Sequence, residues 1–183
     1  RNDWLRELGK RRDWTNLARD YPRFRMNDDR EVTCWWLFTE HLAGRDVADR
    51  ARGLWFAQRD VDDGCNLLAT ALLDAKRIKP DDVWRKARLS LEQQRPGAAK
   101  AAVGLLGNAQ ARDAAEAVDS PTRHLARPAS GGRAAQELRL LALMRLAQTD
   151  ADAAATRLDT RGLRLDGEHA AWAWAYLARQ TAF

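Results

Sequence analysis

Apolar residues recur along this chain at helical spacing, and in few places do they alternate with polar ones as a half-buried strand requires. The clearest pattern runs from Glu31 to Cys65. Cys34, Leu37, Phe38, His41 and Leu42 follow the i, i+3, i+4, i+7, i+8 positions of one helix face, while Val32, Trp35 and Trp36 load the adjoining side. That helix is expected to be buried on two sides. Val47, Ala51, Leu54 and Trp55 make a single stripe opposite Arg45, Asp49, Arg50 and Arg52, which predicts an amphipathic outer helix. Gly44 stands where the first helix must stop, because glycine enters the left-handed cap conformation without a steric penalty. The two patterns predict an antiparallel helical hairpin.

The same signals divide the remainder. Asp3 to Leu8 reads as a short helix end, with Gly9 and the basic run Lys10-Arg11-Arg12 as a turn. Asp13 caps a second element from Trp14 to Tyr21, which Pro22 ends, and Asp28 and Asp29 put negative charge at the amino end of the next helix. After Cys65, an inner stripe of Leu68, Ala71, Leu72, Ala75 and Ile78 precedes a restart at Pro80-Asp81-Asp82, and Val83, Trp84, Ala87 and Leu91 complete that pair. Pro96-Gly97 opens an alanine-rich pair, Ala98 to Leu106 and Ala109 to Val118, where small side chains permit close helix contact. Ser120-Pro121 and Pro128 to Gly132 make 119–133 the least regular region, read as a flexible join within a single domain of residues 1–183. Beyond it Leu138, Leu141, Ala142 and Arg145 share one face and Leu140, Leu143, Met144 and Ala147 another, so a doubly packed helix is expected there. Ala151 to Leu158 and Glu168 to Gln180 close the series. Units of roughly 30 to 40 residues lie in the range of helical solenoids. The fold class is all-α, an irregular α-solenoid of stacked antiparallel helix pairs.

Composition agrees. Alanine, leucine and arginine dominate, and isoleucine occurs only at position 78. The eight tryptophans fall mostly one or two per unit on faces shared with leucine, where they fill gaps between layers. A net charge of +5 permits an acidic partner, but with arginine far above lysine and alanine so abundant, compositional bias accounts for it without one. No apolar run approaches the roughly 18 residues of a membrane span. The chain opens at Arg1 with no signal-like segment, which reads as processing or truncation.

Candidate chemistry is sparse. The carboxylate pairs Asp28-Asp29, Asp62-Asp63 and Asp81-Asp82 have the composition of a glycan-cleaving pair, yet each sits at a helix start, where capping explains it. His41, His124 and His169 are too dispersed for a local metal motif and accompany no nucleophile signature; His41 reads as a core-edge residue. No catalytic, metal or cofactor site is assigned. Lys10 to Arg30 sets Arg11, Arg12, Arg19, Arg23, Arg25 and Arg30 among Trp14, Tyr21 and Phe24, a composition that binds nucleic-acid backbones. Asp13, Asp20, Asp28 and Asp29 break up that field, so it reads as a solvated face and not a nucleic-acid site. Cys34 and Cys65 have no histidine at ligand spacing, which argues against zinc. As buried thiols in a reducing compartment or as a bridge in an oxidising one, the two are equally well placed; the bridge would contribute about 3 kcal/mol.

The order of Gly9-Lys10-Arg11-Arg12-Asp13-Trp14, the Tyr21-Pro22 stop, Cys34 before an aromatic helix, Trp55 near a second helix end, and Asp63-Gly64-Cys65 opening a third resembles the superhelical region of soluble lytic murein transglycosylases. The likeness covers most of the chain, strongest from Arg1 to about Arg95 and from Ala134 to Ala178. Each motif is weak alone; their order is what is specific. The resemblance implies a periplasmic enzyme that cuts peptidoglycan glycan strands to 1,6-anhydro ends, and it favours a Cys34–Cys65 disulfide. It also implies that this chain is the scaffold, since no Glu-Ser start of a catalytic helix, no Gly-Leu-Met-Gln stretch and no tyrosine-rich substrate motif occurs in it. A lysozyme-like catalytic domain is thus absent from the chain, which is expected to be inactive by itself and to meet glycan strands through its parent enzyme. The rival reading is a cytosolic helical-repeat module binding a protein partner.

Overall fold

The computed structural model describes residues 2–24, 29–160 and 163–181. Among these there are helices and turns and no strand: α1 (Asn2–Lys10), α2 (Trp14–Asp20), a 3-10 turn (Tyr21–Arg23), α3 (Arg30–Leu42), α4 (Ala48–Ala57), α5 (Asp63–Asp74), α6 (Pro80–Glu92), α7 (Pro96–Gly104), α8 (Asn108–Asp119), α9 (Pro121–Leu125), α10 (Arg133–Ala147), α11 (Ala151–Asp159) and α12 (Gly167–Thr181). No helix among the described residues is long and apolar enough to cross a membrane. The chain forms two compact units, Arg1–Asp82 and Val83–Phe183, whose boundary falls inside α6. The region 119–133, expected to be a join, contains α9.

Local hydrogen bonding explains most boundaries. Asp13, Asp29, Asp62 and Asp150 each accept the backbone N–H three residues on and so satisfy one of the first-turn donors that a helix leaves unpaired. Pro80 and Pro96 stand in first turns, where the missing N–H has no intrahelical partner to lose. Gly44 has φ +83° and donates to His41 O, with Arg45 N donating to Glu40 O, so α3 ends as its sequence predicts.

In the first unit α3 is the hub, packed on α1, α2, α4 and α5. Val32, Thr33, Cys34 and Trp35 are consecutive and all buried, so the first turns of α3 are covered all round. Leu42 departs from the expected stripe: in the last turn of α3 it is 60% exposed. Leu5, Leu8, Leu17, Tyr21, Val32 and Trp35 form one core cluster, with Trp14, Phe24, Trp36 and Leu67 against it. Gly9 is not the turn its sequence suggests. It lies inside α1 with the Trp35 indole on it, where a Cβ would overlap the ring, and the turn is made at Arg12, whose φ is +60°.

In the second unit α7 pairs with α8 through Ala98, Ala99, Ala102, Val103, Ala114, Ala117 and Val118, all buried. Helix α10 is the centre, contacted by α8, α9, α11 and α12. From Glu137 to Met144 every residue of α10 is buried, which is the double packing expected from its two apolar faces.

Candidate functional site

Of the motifs that carried the family resemblance, all but Trp55 meet around the first turns of α3 in the first unit. Arg12 donates from both terminal nitrogens to the Asp63 carboxylate, at 2.6 and 2.8 Å, and Trp35 Nε1 donates to Asp63 Oδ2 at 3.1 Å. These donors hold the Asp63 carboxyl below the usual carboxylate range, the Arg12 hydrogen bond being the largest cause. Asp62 caps α5 by accepting Cys65 N at 2.7 Å, and Asp63 N donates to Glu31 Oε1 at 3.1 Å. Gly64 lies against Glu31 O, where a Cβ would clash, so the first turns of α3 and α5 come close together. That approach brings the Cα atoms of Cys34 and Cys65 to 4.9 Å and their sulfurs to 2.05 Å, the distance of a disulfide. Tyr21 stacks on Trp36 at 4.5 Å between centroids and its hydroxyl lies 3.0 Å from Thr33 Oγ1, while Trp14 meets Phe38 edge-on at 5.1 Å. Arg12, Trp14, Tyr21, Cys34, Asp63, Gly64 and Cys65 each have a packing, hydrogen-bonding or bridging task here, and the half-exposed Asp63 carboxylate is held by Arg12 and Trp35.

Capping accounts for one member of each carboxylate pair. Asp29 and Asp62 are caps, and Asp82 accepts Lys79 N at 3.0 Å and lies 3.2 Å from Arg52 Nε; Asp28 lies outside the described residues. Three of the arginines of the basic amino-terminal segment are paired, Arg11 with Glu7, Arg12 with Asp63 and Arg19 with Asp20, whose carboxyl is lowered to about 2 chiefly by Arg19, and the preceding Arg6 pairs with Asp29. The segment's aromatics Trp14 and Tyr21 are engaged in the core, Tyr21 buried and stacked on Trp36, Trp14 half-buried against the same cluster. Arg25 lies outside the described residues.

The histidines divide. His41 is half-buried at the edge of α3, as its position predicts. His124 lies 3.8 Å from Glu116 Oε2, and burial, ahead of the opposing pull of Glu116, lowers its pKa. His169 belongs to a cluster that sequence reading missed. Its Nδ1 lies 2.5 Å from Asp166 Oδ1, and its Nε2 lies 3.1 Å from Glu137 Oε1, an ion-pair distance outside hydrogen-bond alignment. Arg88 Nη1 donates to both oxygens of Glu137 at 2.7 Å, and the Arg88 guanidinium lies 4.4 Å from the centroid of the Trp172 ring. Backbone and ring donors from His169 hold the Asp166 carboxyl below its ordinary value.

A carboxylate, an imidazole and a guanidinium in one cluster are the groups used in acid–base catalysis. Here Glu137 and His169 have no exposed surface, so no substrate atom reaches them. The cluster ties α6, α10 and α12 of the second unit together. The signal available in the sequence was the pair of charges, Glu137 and Arg139, inside the apolar run of α10. Among the described residues no group of three or more His, Cys, Asp and Glu side chains could hold a metal ion. No protein-family model matches the chain, and comparison with curated proteins and with solved structures returned no match.

Proposed function

We propose that the chain is a non-catalytic scaffold of the soluble lytic transglycosylase type, an irregular solenoid of helix pairs that acts in the periplasm. Its work is to help enclose peptidoglycan glycan strands and position them for a lysozyme-like domain that cleaves them to 1,6-anhydro ends. The observation that supports this reading is the convergence of the ordered motifs, Gly9 to Trp14, Tyr21-Pro22, Cys34 and Asp63 to Cys65, on one packed junction with the two sulfurs at bonding distance. A sulfur bridge at that junction suits an oxidising compartment, and a site built of packing and caps suits a positioning role.

The test is co-sedimentation of the oxidised protein with purified peptidoglycan sacculi, with soluble muropeptides analysed from the same incubation. Sedimentation with the sacculi and no release of 1,6-anhydro products is the expected result. A protein that stays in the supernatant removes the glycan-positioning role, and release of anhydro products removes the non-catalytic one. Two free thiols in protein exported through an oxidising compartment would favour the rival protein-binding module.

A further inference from the structure

Among the described residues of the second unit one buried arginine has no counterion. Arg139 is only 6% exposed; its Nη2 donates to Ser130 O at 2.8 Å and its Nη1 has no hydrogen-bond partner. Among the described residues no carboxylate pairs with it, whereas Arg88, the other buried guanidinium described above, has Glu137. Burial, and then the like charge of Arg164, pull the Arg139 guanidinium below its ordinary pKa. A buried guanidinium left this way costs several kcal/mol unless something compensates it, roughly the penalty of an unpaired buried ion.

Two cavities reach this side chain. One of about 310 Å³ is walled by Ala134, Ala135 and Leu138, with His124 and Asp113 also lining it. The other, of about 190 Å³, is lined by Arg157, Thr160 and Leu163. Arg127, Pro128 and Arg139 line both. Arg127 is already engaged by Glu116 at 2.6 Å, so of the arginines lining the larger cavity Arg139 is the one with no carboxylate partner among the described residues.

We infer that Arg139 is the anchor of an anion-binding subsite, and that the group it takes is a carboxylate carried on a short aliphatic substituent. The planar guanidinium fork matches a carboxylate. The alanine and leucine walls accept a methyl-sized group, and the larger cavity has room for a small molecule only. Asp113 in the lining, with Glu116 nearby, disfavours a doubly charged phosphate. This inference does not depend on the scaffold reading, since neither the disulfide junction nor glycan binding enters it.

The test is a titration of the full chain with N-acetylalanine at low chloride, followed by NMR, with the neutral N-acetylalanine amide and inorganic phosphate as comparison probes. Binding of the acid with a shift of the Arg139 side-chain resonance, and binding of the amide and of phosphate at least about tenfold weaker, is the expected result. Arg139→Gln should lose about tenfold in affinity or more, and Ala135→Leu, which fills the cavity and keeps the charge, should also lose it. If Arg139→Gln does not fold, Arg139→Lys and Ala135→Leu carry the same comparison. Absence of binding to the native chain, equal binding of acid and amide, tighter binding of phosphate, or undiminished binding by Ala135→Leu would each overturn the inference.

Discussion

Residues 2–82 hold their helices together with a sulfur bridge and large aromatic rings, and place their ion pairs mostly near solvent. Residues 83–181 contain no cysteine; they pack alanine against alanine, surround α10, and bury the Arg88–Glu137–His169 cluster. The contrast lies in what compensates a small core. A cross-link acts largely on the unfolded chain by restricting it, with the native packing asked for less. A buried ionic cluster acts on the folded chain and has to overcome desolvation, so its contribution is to disfavour other packings as much as to add stability. The first unit should therefore tolerate loss of a surface charge and suffer from loss of sulfur, and the second should be intolerant of any single change inside its cluster.

The largest effect is expected from Glu137→Ala, which strands Arg88 in the interior and should cost about 3–5 kcal/mol. Replacing both partners, as in Arg88→Met with Glu137→Leu, should be close to neutral or stabilising; urea unfolding of the three proteins measures this. A double variant as unstable as the single one would show that the pair contributes net stability and not only specificity.

Next comes the bridge: Cys34→Ala with Cys65→Ala should lower stability by about 3 kcal/mol. The loss should appear as faster hydrogen exchange at α3 and α5 amides while α10 amides keep their protection. Equal loss in α10 would mean the two units do not differ as described.

Gly9→Ala should cost about 1–3 kcal/mol, because the added methyl displaces the Trp35 indole from its seat on α1. A changed near-ultraviolet circular dichroism signal from the tryptophans is its direct signature.

The smallest effect belongs to Asp63→Asn. The carboxylate is about half exposed, so its pair with Arg12 is worth about 0.2–1 kcal/mol. Its folded pKa is depressed, so its stabilisation is complete above pH 3.8 and is lost as pH falls through the folded value. Asp20, lowered to about 2, behaves alike between 3.8 and about 2. The Asn variant should thus have a shallower acid limb in a stability–pH profile, and an unchanged limb would remove Asp63 from the account.

How much was legible follows from the range of the interaction involved. Caps at Asp13, Asp29 and Asp62, the stop at Gly44 and the restarts at Pro80 and Pro96 depend on atoms within a few residues, and all are found where the pattern predicts. Gly9 was misread because its constraint comes from a ring 26 positions away, not from its own backbone. Leu42 carries the right residue type at the right spacing yet is exposed, because periodicity marks a face and does not say how far along the helix that face is covered. By spacing alone the cysteines were equally compatible with thiols and a bridge, and only the family resemblance favoured the bridge; the close approach of Gly64 to Glu31 brings the two sulfurs to bonding distance.

The amino-acid sequence by itself determined an all-helical chain, its punctuation and the apolar faces, because hydrogen bonds along one helix and the 3.6-residue period are local properties. Only the tertiary structure decided that Arg88 finds Glu137 across 49 positions, that His169 joins them, and that Arg139 has no such partner among the described residues. A charge inside a helix has the same local signature whether it meets a counterion or an empty cavity, and the difference lies in which other helices happen to lie against it.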